Sequence, residues 1–158
     1  MLNLLHTQQK NARRFPLSQI IKDMTEITRC GVDYRTEMLA PLGLKACHAS
    51  YLLEICGEPG ISQDQLAQRL YINKSNVARQ VAILEENGFV SRYSCTADKR
   101  VMKLYPTEKT TEILPQIQEI MNRWEACLTH DITEEELDTL SALLARMKSR
   151  ASAWMEAH

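Results

Sequence analysis

Glycine and proline are scarce, five of each in 158 residues, and 44% of the chain is hydrophobic. That excludes a collagen-like repeat and argues against a disordered chain, which could not bury enough apolar surface to offset its ordering entropy. No stretch approaches the roughly 18 apolar residues that a membrane-spanning helix needs. The start of the chain lacks both a basic segment and a small-residue cleavage site, so export is not expected and the protein is placed in the cytoplasm. No CxxC pair is present: Cys30, Cys47, Cys56, Cys95 and Cys127 are odd in number and read as reduced thiols. His6, His48, His130 and His158 are too scattered to converge with them on a metal, so neither metal nor cofactor is expected. A phosphate-binding glycine loop, a zinc-protease helix and a recognisable nucleophile and base are also missing, which argues against an enzyme.

The chain also lacks a basic excess, its formal net charge being -1. Taken whole, that would count against a nucleic-acid partner. Counted by segment it does not. Residues 62–110 hold eight Lys or Arg against five Asp or Glu, a balance of +3, whereas residues 111–145 hold Arg123 against eight acids, a balance of -7. A mildly basic centre is masked by an acidic helical region.

The element pattern is mainly α with a small two- or three-stranded β wing. A first helix is expected from Pro16 towards Ala40, carrying Ile20, Met24, Ile27, Gly31, Tyr34 and Met38 at intervals of three or four. A short helix over Cys47–Cys56 runs into the turn signal Gly57 to Gly60. Ser62 and Gln65 then form a capping box that opens a helix through Leu66, Ala67 and Leu70. After a break at Tyr71 to Asn73, a second helix reads from Lys74 to Asn87, with Asn73 as its cap, Val77, Val81 and Leu84 inward, and Gly88 as its left-handed stop. Val90–Ser94 and Val101–Tyr105 make a ribbon around a basic tip. Thr107 caps a longer helix towards Thr129, with Pro115 near its start, and Thr133 with Glu136 opens the last one, carrying Leu137, Leu140, Leu144, Met147, Ala151 and Trp154. The long helices at the two ends, 15–45 and 107–156, are expected to form a dimerisation region around a DNA-binding unit, 46–106.

A helix entering a major groove needs donors near its N-terminus and a second helix that holds it at the right angle. The centre of the chain supplies both. Ser75, Asn76, Arg79 and Gln80 are candidates for base edges, Ser62, Gln63 and Lys74 for phosphates, and Asn73 and Arg92 stand with them as candidate DNA-binding residues. Lys99 and Arg100 form the basic tip, and Arg100 has the reach and charge for a narrow minor groove. Asp98 could hold either Arg100 or Arg92 in place. A winged helix-turn-helix used only for protein contacts is the rival reading.

The run from Pro59 to Leu70, continuing through Asn73 to Val81 and Leu84 to Val90 and ending at Asp98, Lys99 and Arg100, resembles the MarR family of winged-helix transcriptional regulators, including its SlyA-like members. The resemblance extends over about residues 15–156, by pattern in the flanking helices. It implies a homodimer on a pseudo-palindromic operator in double-stranded DNA, most often repressing, with the recognition helix at Lys74–Asn87, the wing arginine at Arg100 and its supporting aspartate at Asp98. Leu104 to Thr107 departs from the family's usual wing-to-helix junction. The resemblance also raises a small aromatic or phenolic effector, for which Cys30, Tyr34, Met38, His48, Tyr51, Leu52 and Cys56 are candidate wall residues, although such a stripe serves equally as plain core.

Overall fold

In the computed structural model, residues 17–94 and 101–157 are described. The elements run α1 (Leu17–Leu39), a 3-10 turn (Ala40–Leu42), α2 (His48–Gly57), β1 (Ile61–Ser62), α3 (Gln63–Leu70), α4 (Lys74–Glu86), β2 (Val90–Ser94), β3 (Met102–Pro106), α5 (Glu108–Thr129) and α6 (Glu134–Ala157). They fall into two compact units, residues 1–117 and 118–158, so the division lies inside α5.

The first unit is built around the inward faces of α2, α3 and α4. Val77, Val81 and Leu84 have no exposed surface, and Leu66, Leu52 and Ile55 are as deeply buried. Full burial of such side chains contributes about 1.5–3 kcal/mol each, far more than the few tenths by which helix propensity could distinguish this short helix from its alternatives. Packing therefore decides where α4 lies.

Local chemistry decides where it begins and ends. Ser62 Oγ accepts from the Gln65 amide at 3.2 Å while Gln65 Oε1 accepts from the Ser62 amide at 2.9 Å, the reciprocal box expected at the head of α3. α3 closes differently from a glycine-stopped helix. Tyr71, at φ 54, takes the left-handed position and the Ile72 amide reaches back to the Ala67 carbonyl at 3.0 Å. A side chain in that conformation carries strain, so the turn between α3 and α4 is held by the elements it joins. α4 ends on Gly88, at φ 76, with the Gly88 amide bonded to Glu85 O at 2.9 Å and the Phe89 amide to Leu84 O at 2.8 Å. Here glycine takes the left-handed turn without a Cβ penalty.

The wing is a three-stranded antiparallel sheet in the order β1-β3-β2. Ile61 pairs with Leu104, and Arg92 with Leu104 from the other side, so Leu104 lies on the central strand and is fully buried. β1 comprises only Ile61 and Ser62, but the Gly60 amide extends it with a 2.7 Å bond to Leu104 O. Gly60 cannot gain a side chain cheaply: its φ is 90, and a Cβ would lie 3.1 Å from the Tyr105 hydroxyl. This is a winged helix-turn-helix. The tip expected at Asp98, Lys99 and Arg100 lies outside the described residues.

In the second unit, α6 opens on the expected box. The Glu136 carboxylate accepts from the Thr133 amide at 2.9 Å, and the Glu136 amide donates to Thr133 Oγ1 at 3.3 Å. The Thr133 amide, with the Thr133 hydroxyl second, holds the Glu136 carboxyl below its ordinary pKa. Pro115 is accommodated inside α5.

Candidate nucleic-acid interface

The head of α4 concentrates unspent donors. Asn73 is extended, at φ -66 and ψ 147, and its Oδ1 accepts both from the Asn76 amide at 2.8 Å and from Ser75 Oγ at 2.9 Å. Asn76 Oδ1 in turn accepts from the Arg79 guanidinium at 3.1 Å. Both asparagine oxygens are thus committed to shaping the site, and chemistry leaves their NH2 groups and the remaining Arg79 N–H groups as donors. Asn73, Ser75, Asn76 and Arg79 line an open cleft of about 380 Å³. No acidic residue occupies the first turn of α4, so the positive end of the helix dipole reinforces those donors. The arrangement suits an electronegative edge, either a phosphate or a base acceptor.

The other backbone-side candidates occupy unequal positions. Ser62 is nearly buried and its hydroxyl caps α3. Gln63, the first residue of α3, is half-buried. Lys74 Nζ lies 2.8 Å from Asp64 Oδ2, with both side chains largely in solvent, an ion pair that contributes little and can exchange partners readily. Arg92 is bound within the fold: its Nε donates to Glu85 Oε2 at 2.7 Å, and a second guanidinium nitrogen meets the same oxygen. That pair ties β2 to the end of α4.

Gln80 is turned towards α2. His48 is buried, and its Nδ1 accepts from the Lys45 backbone amide at 3.1 Å. An amide can only donate, so the proton of the neutral ring resides on Nε2, which faces Gln80 Oε1 at 3.2 Å and donates to it. Cys47 Sγ lies 3.8 Å from the same oxygen. Burial lowers the His48 pKa below 6.5, the Gln80 bond opposes that, and the nearby Lys45 charge adds to it.

The candidate effector wall divides between two helices. Cys30, Tyr34 and Met38 are half-buried on α1, with the Arg29 guanidinium 3.9 Å from Cys30 Sγ. His48, Tyr51 and Leu52 are enclosed in the first unit. Half-buried Cys56 has its thiol pKa pushed up by burial. Tyr51 is unusual among them, because its buried hydroxyl has no hydrogen-bond partner among the described residues, and burial raises its pKa.

Sequence reading missed a set of donors at the far end of α4. Lys109 Nζ donates to Asn87 O at 2.9 Å, Thr107 Oγ1 to Gly88 O at 2.7 Å and Thr110 Oγ1 to Phe89 O at 2.6 Å. Thr107 was legible as a cap for α5, but its reach back to α4 has no local spacing to betray it. Among the described residues no group of three or more His, Cys, Asp or Glu could hold a metal ion, and no helix is long and apolar enough to cross a membrane.

A MarR family model matches residues 48–102. Among solved structures, MarR is 31% identical over 92% of this chain and 97% of its own, with a TM-score of 0.73. The transcriptional regulator SlyA is 26% identical over 85% of this chain and 94% of its own, with a TM-score of 0.81. A Listeria monocytogenes protein assigned to the MarR transcriptional regulators, and complexed with 26mer DNA, is 27% identical over 85% of this chain and 91% of its own, with a TM-score of 0.80.

Proposed function

The chain belongs to the MarR family of DNA-binding transcriptional regulators, and on that premise we propose that it is a cytoplasmic, homodimeric repressor of a pseudo-palindromic operator, released by a small aromatic or phenolic effector. As a member of this family it is a transcription factor and not an enzyme. The observation that carries the proposal is the donor-lined cleft of Asn73, Ser75, Asn76 and Arg79 at the head of α4, whose own first turn holds no acidic residue. In this reading Ser75, Asn76 and Arg79 meet base edges, and Gln63 and Lys74 lie along the phosphates. Arg100 enters the minor groove beside Lys99, positioned by Asp98. The 26mer DNA of the Listeria relative supports the DNA partner.

Dimerisation is supported by apolar side chains that one chain leaves in solvent. Ile20, Met24 and Ile27 on α1 and, separately, Leu140, Leu144 and Met147 on α6 are all exposed, and such rows are the usual substance of an obligate interface. Residues 15–45 and 107–156 would form that region and 46–106 the reading unit. Two-fold symmetry then places half-site centres roughly 34–36 Å apart, one turn of B-DNA.

The test is selection of bound sites from random DNA, followed by gel shifts at rising salt. A symmetric motif is expected, with affinity falling steeply as counterions compete for the phosphates. Asn76→Ala and Arg100→Ala dimers that bound as tightly as the parent would remove the recognition-helix and wing assignments. Dissociation by aromatic acids or phenols tests the effector.

A further inference from the structure

Gln80 is half-buried on α4, one position beyond Arg79 and one helical turn beyond Asn76, two residues that line the cleft. A free glutamine carboxamide reads adenine, accepting from N6 while donating to N7, because it offers one acceptor and one donor side by side. Gln80 is not free in that sense. Its oxygen is engaged by the His48 Nε2–H of α2 at 3.2 Å and by the thiol of Cys47, just before α2, at 3.8 Å. The direction of the first bond follows from the Lys45 amide, which occupies His48 Nδ1 and places the ring proton on Nε2. A carbonyl oxygen has two lone pairs, and both have a donor here. The end of the side chain left for a base edge is NH2.

We propose that His48 is a positioning residue for base recognition, and that by holding the Gln80 carbonyl it converts Gln80 into a donor-only reader that selects guanine rather than adenine. Guanine presents two acceptors, O6 and N7, in the major groove, so an NH2 group can serve either or both. Adenine can still accept at N7, but its N6 donor would need the acceptor that His48 has taken, so guanine gains the second bond and adenine loses it. His48 thereby sets sequence preference from a buried site without touching DNA. The inference rests on the recognition-helix reading above.

The test is site selection with the full-length wild type, His48→Phe and Gln80→Glu, each first checked for folding by thermal unfolding. The wild type should enrich a symmetric motif with guanine at one position of each half-site, favoured over adenine on the order of tenfold. His48→Phe frees one lone pair of the oxygen, and adenine should gain at that position alone. Gln80→Glu is nearly isosteric and keeps the bond from His48, but presents an acceptor outwards; guanine should be lost there and cytosine, through its N4 donor, gained. If His48→Phe fails to fold, Gln80→Glu decides: guanine retained at every position overturns the proposal. A symmetric motif unchanged in both variants overturns it too while leaving the DNA reading intact. A wild type that enriches no motif defeats that reading, and this inference with it.

Discussion

Asn73 has one oxygen serving two purposes, and a pair of substitutions separates them. Its Oδ1 accepts from the Asn76 amide at 2.8 Å, which caps α4, and from Ser75 Oγ at 2.9 Å, which shapes the cleft. Asn73→Ala removes both bonds. Loss of such a cap costs about 1 kcal/mol, which in a chain of 158 residues lowers the melting temperature by about 2–4 °C. Asn73→Asp keeps the acceptor and adds a negative charge at the positive end of the helix, worth about 0.3–1 kcal/mol; its melting temperature should match or exceed that of the parent. DNA binding should move the other way. A unit negative charge about 4 Å from a phosphate costs about 1 kcal/mol even in a water-like dielectric, a loss of about fivefold that fades as salt screens it. Thermal unfolding by circular dichroism and gel shifts at two salt concentrations read the two effects. If Asn73→Asp melts as low as Asn73→Ala, the side-chain oxygen is not the cap. If Asn73→Asp binds DNA as tightly as the parent at low salt, the head of α4 does not approach the phosphates.

Three further changes probe the frame around that site. Tyr51→Phe deletes a buried hydroxyl without a partner among the described residues, so it should leave stability unchanged or raise it by about 1 kcal/mol in a denaturant titration; a clear loss would mean that the hydroxyl is satisfied. Thr110→Val removes the 2.6 Å bond to Phe89 O in a fully buried position and should cost about 0.5–1.5 kcal/mol. The cost should not be larger, because Phe89 O keeps the Thr107 amide at 3.2 Å, and Thr110→Ser should recover most of it. The third change is pH. Folding lowers the His48 pKa below its ordinary 6.5, so the unfolded chain binds the proton more readily. The His48 contribution is whole above pH 6.5 and is lost as pH falls through the folded value. Stability measured from pH 7.5 downwards should decline less in His48→Phe than in the parent, and parallel curves would contradict the buried neutral ring.

The features legible in the sequence are those decided within one turn of helix. The boxes at Ser62 and Thr133, the Asn73 cap, the Gly88 stop and the spacing of Val77, Val81 and Leu84 each involve residues no more than four or so apart, and each is found where the residue types place it. The remainder depends on residues that meet only after folding. Tyr71 takes a left-handed conformation that residue type disfavours, because the packing of α3 and α4 fixes the turn. β1 is two residues long and exists only because β3 supplies its partners. Arg92, a candidate DNA-binding residue by its type, is brought back to Glu85 by the Gly88 turn. His48 and Gln80 are 32 positions apart, beyond any periodicity, so no local spacing betrays the bond between α2 and α4.

The end of α4 shows how the same logic links α4 to the long helix α5. A helix terminates with carbonyls that its own backbone cannot satisfy, and the Gly88 turn uses those of Leu84 and Glu85. Beyond Glu86, the acceptors on Asn87, Gly88 and Phe89 are met by Lys109, Thr107 and Thr110, at and just before the start of α5. Lys109 also lies 4.0 Å over the Phe89 ring, adding a cation–π attraction to its bond with Asn87. Three consecutive carbonyls held by three side chains within four residues leave little freedom to slide one segment against the other, since any shift breaks several bonds together. The beginning of α5 and the end of α4 therefore behave as one rigid corner. α4 is then held at two places, at its middle by His48 of α2 through Gln80 and at its end by the first turn of α5 through the carbonyls of Asn87, Gly88 and Phe89.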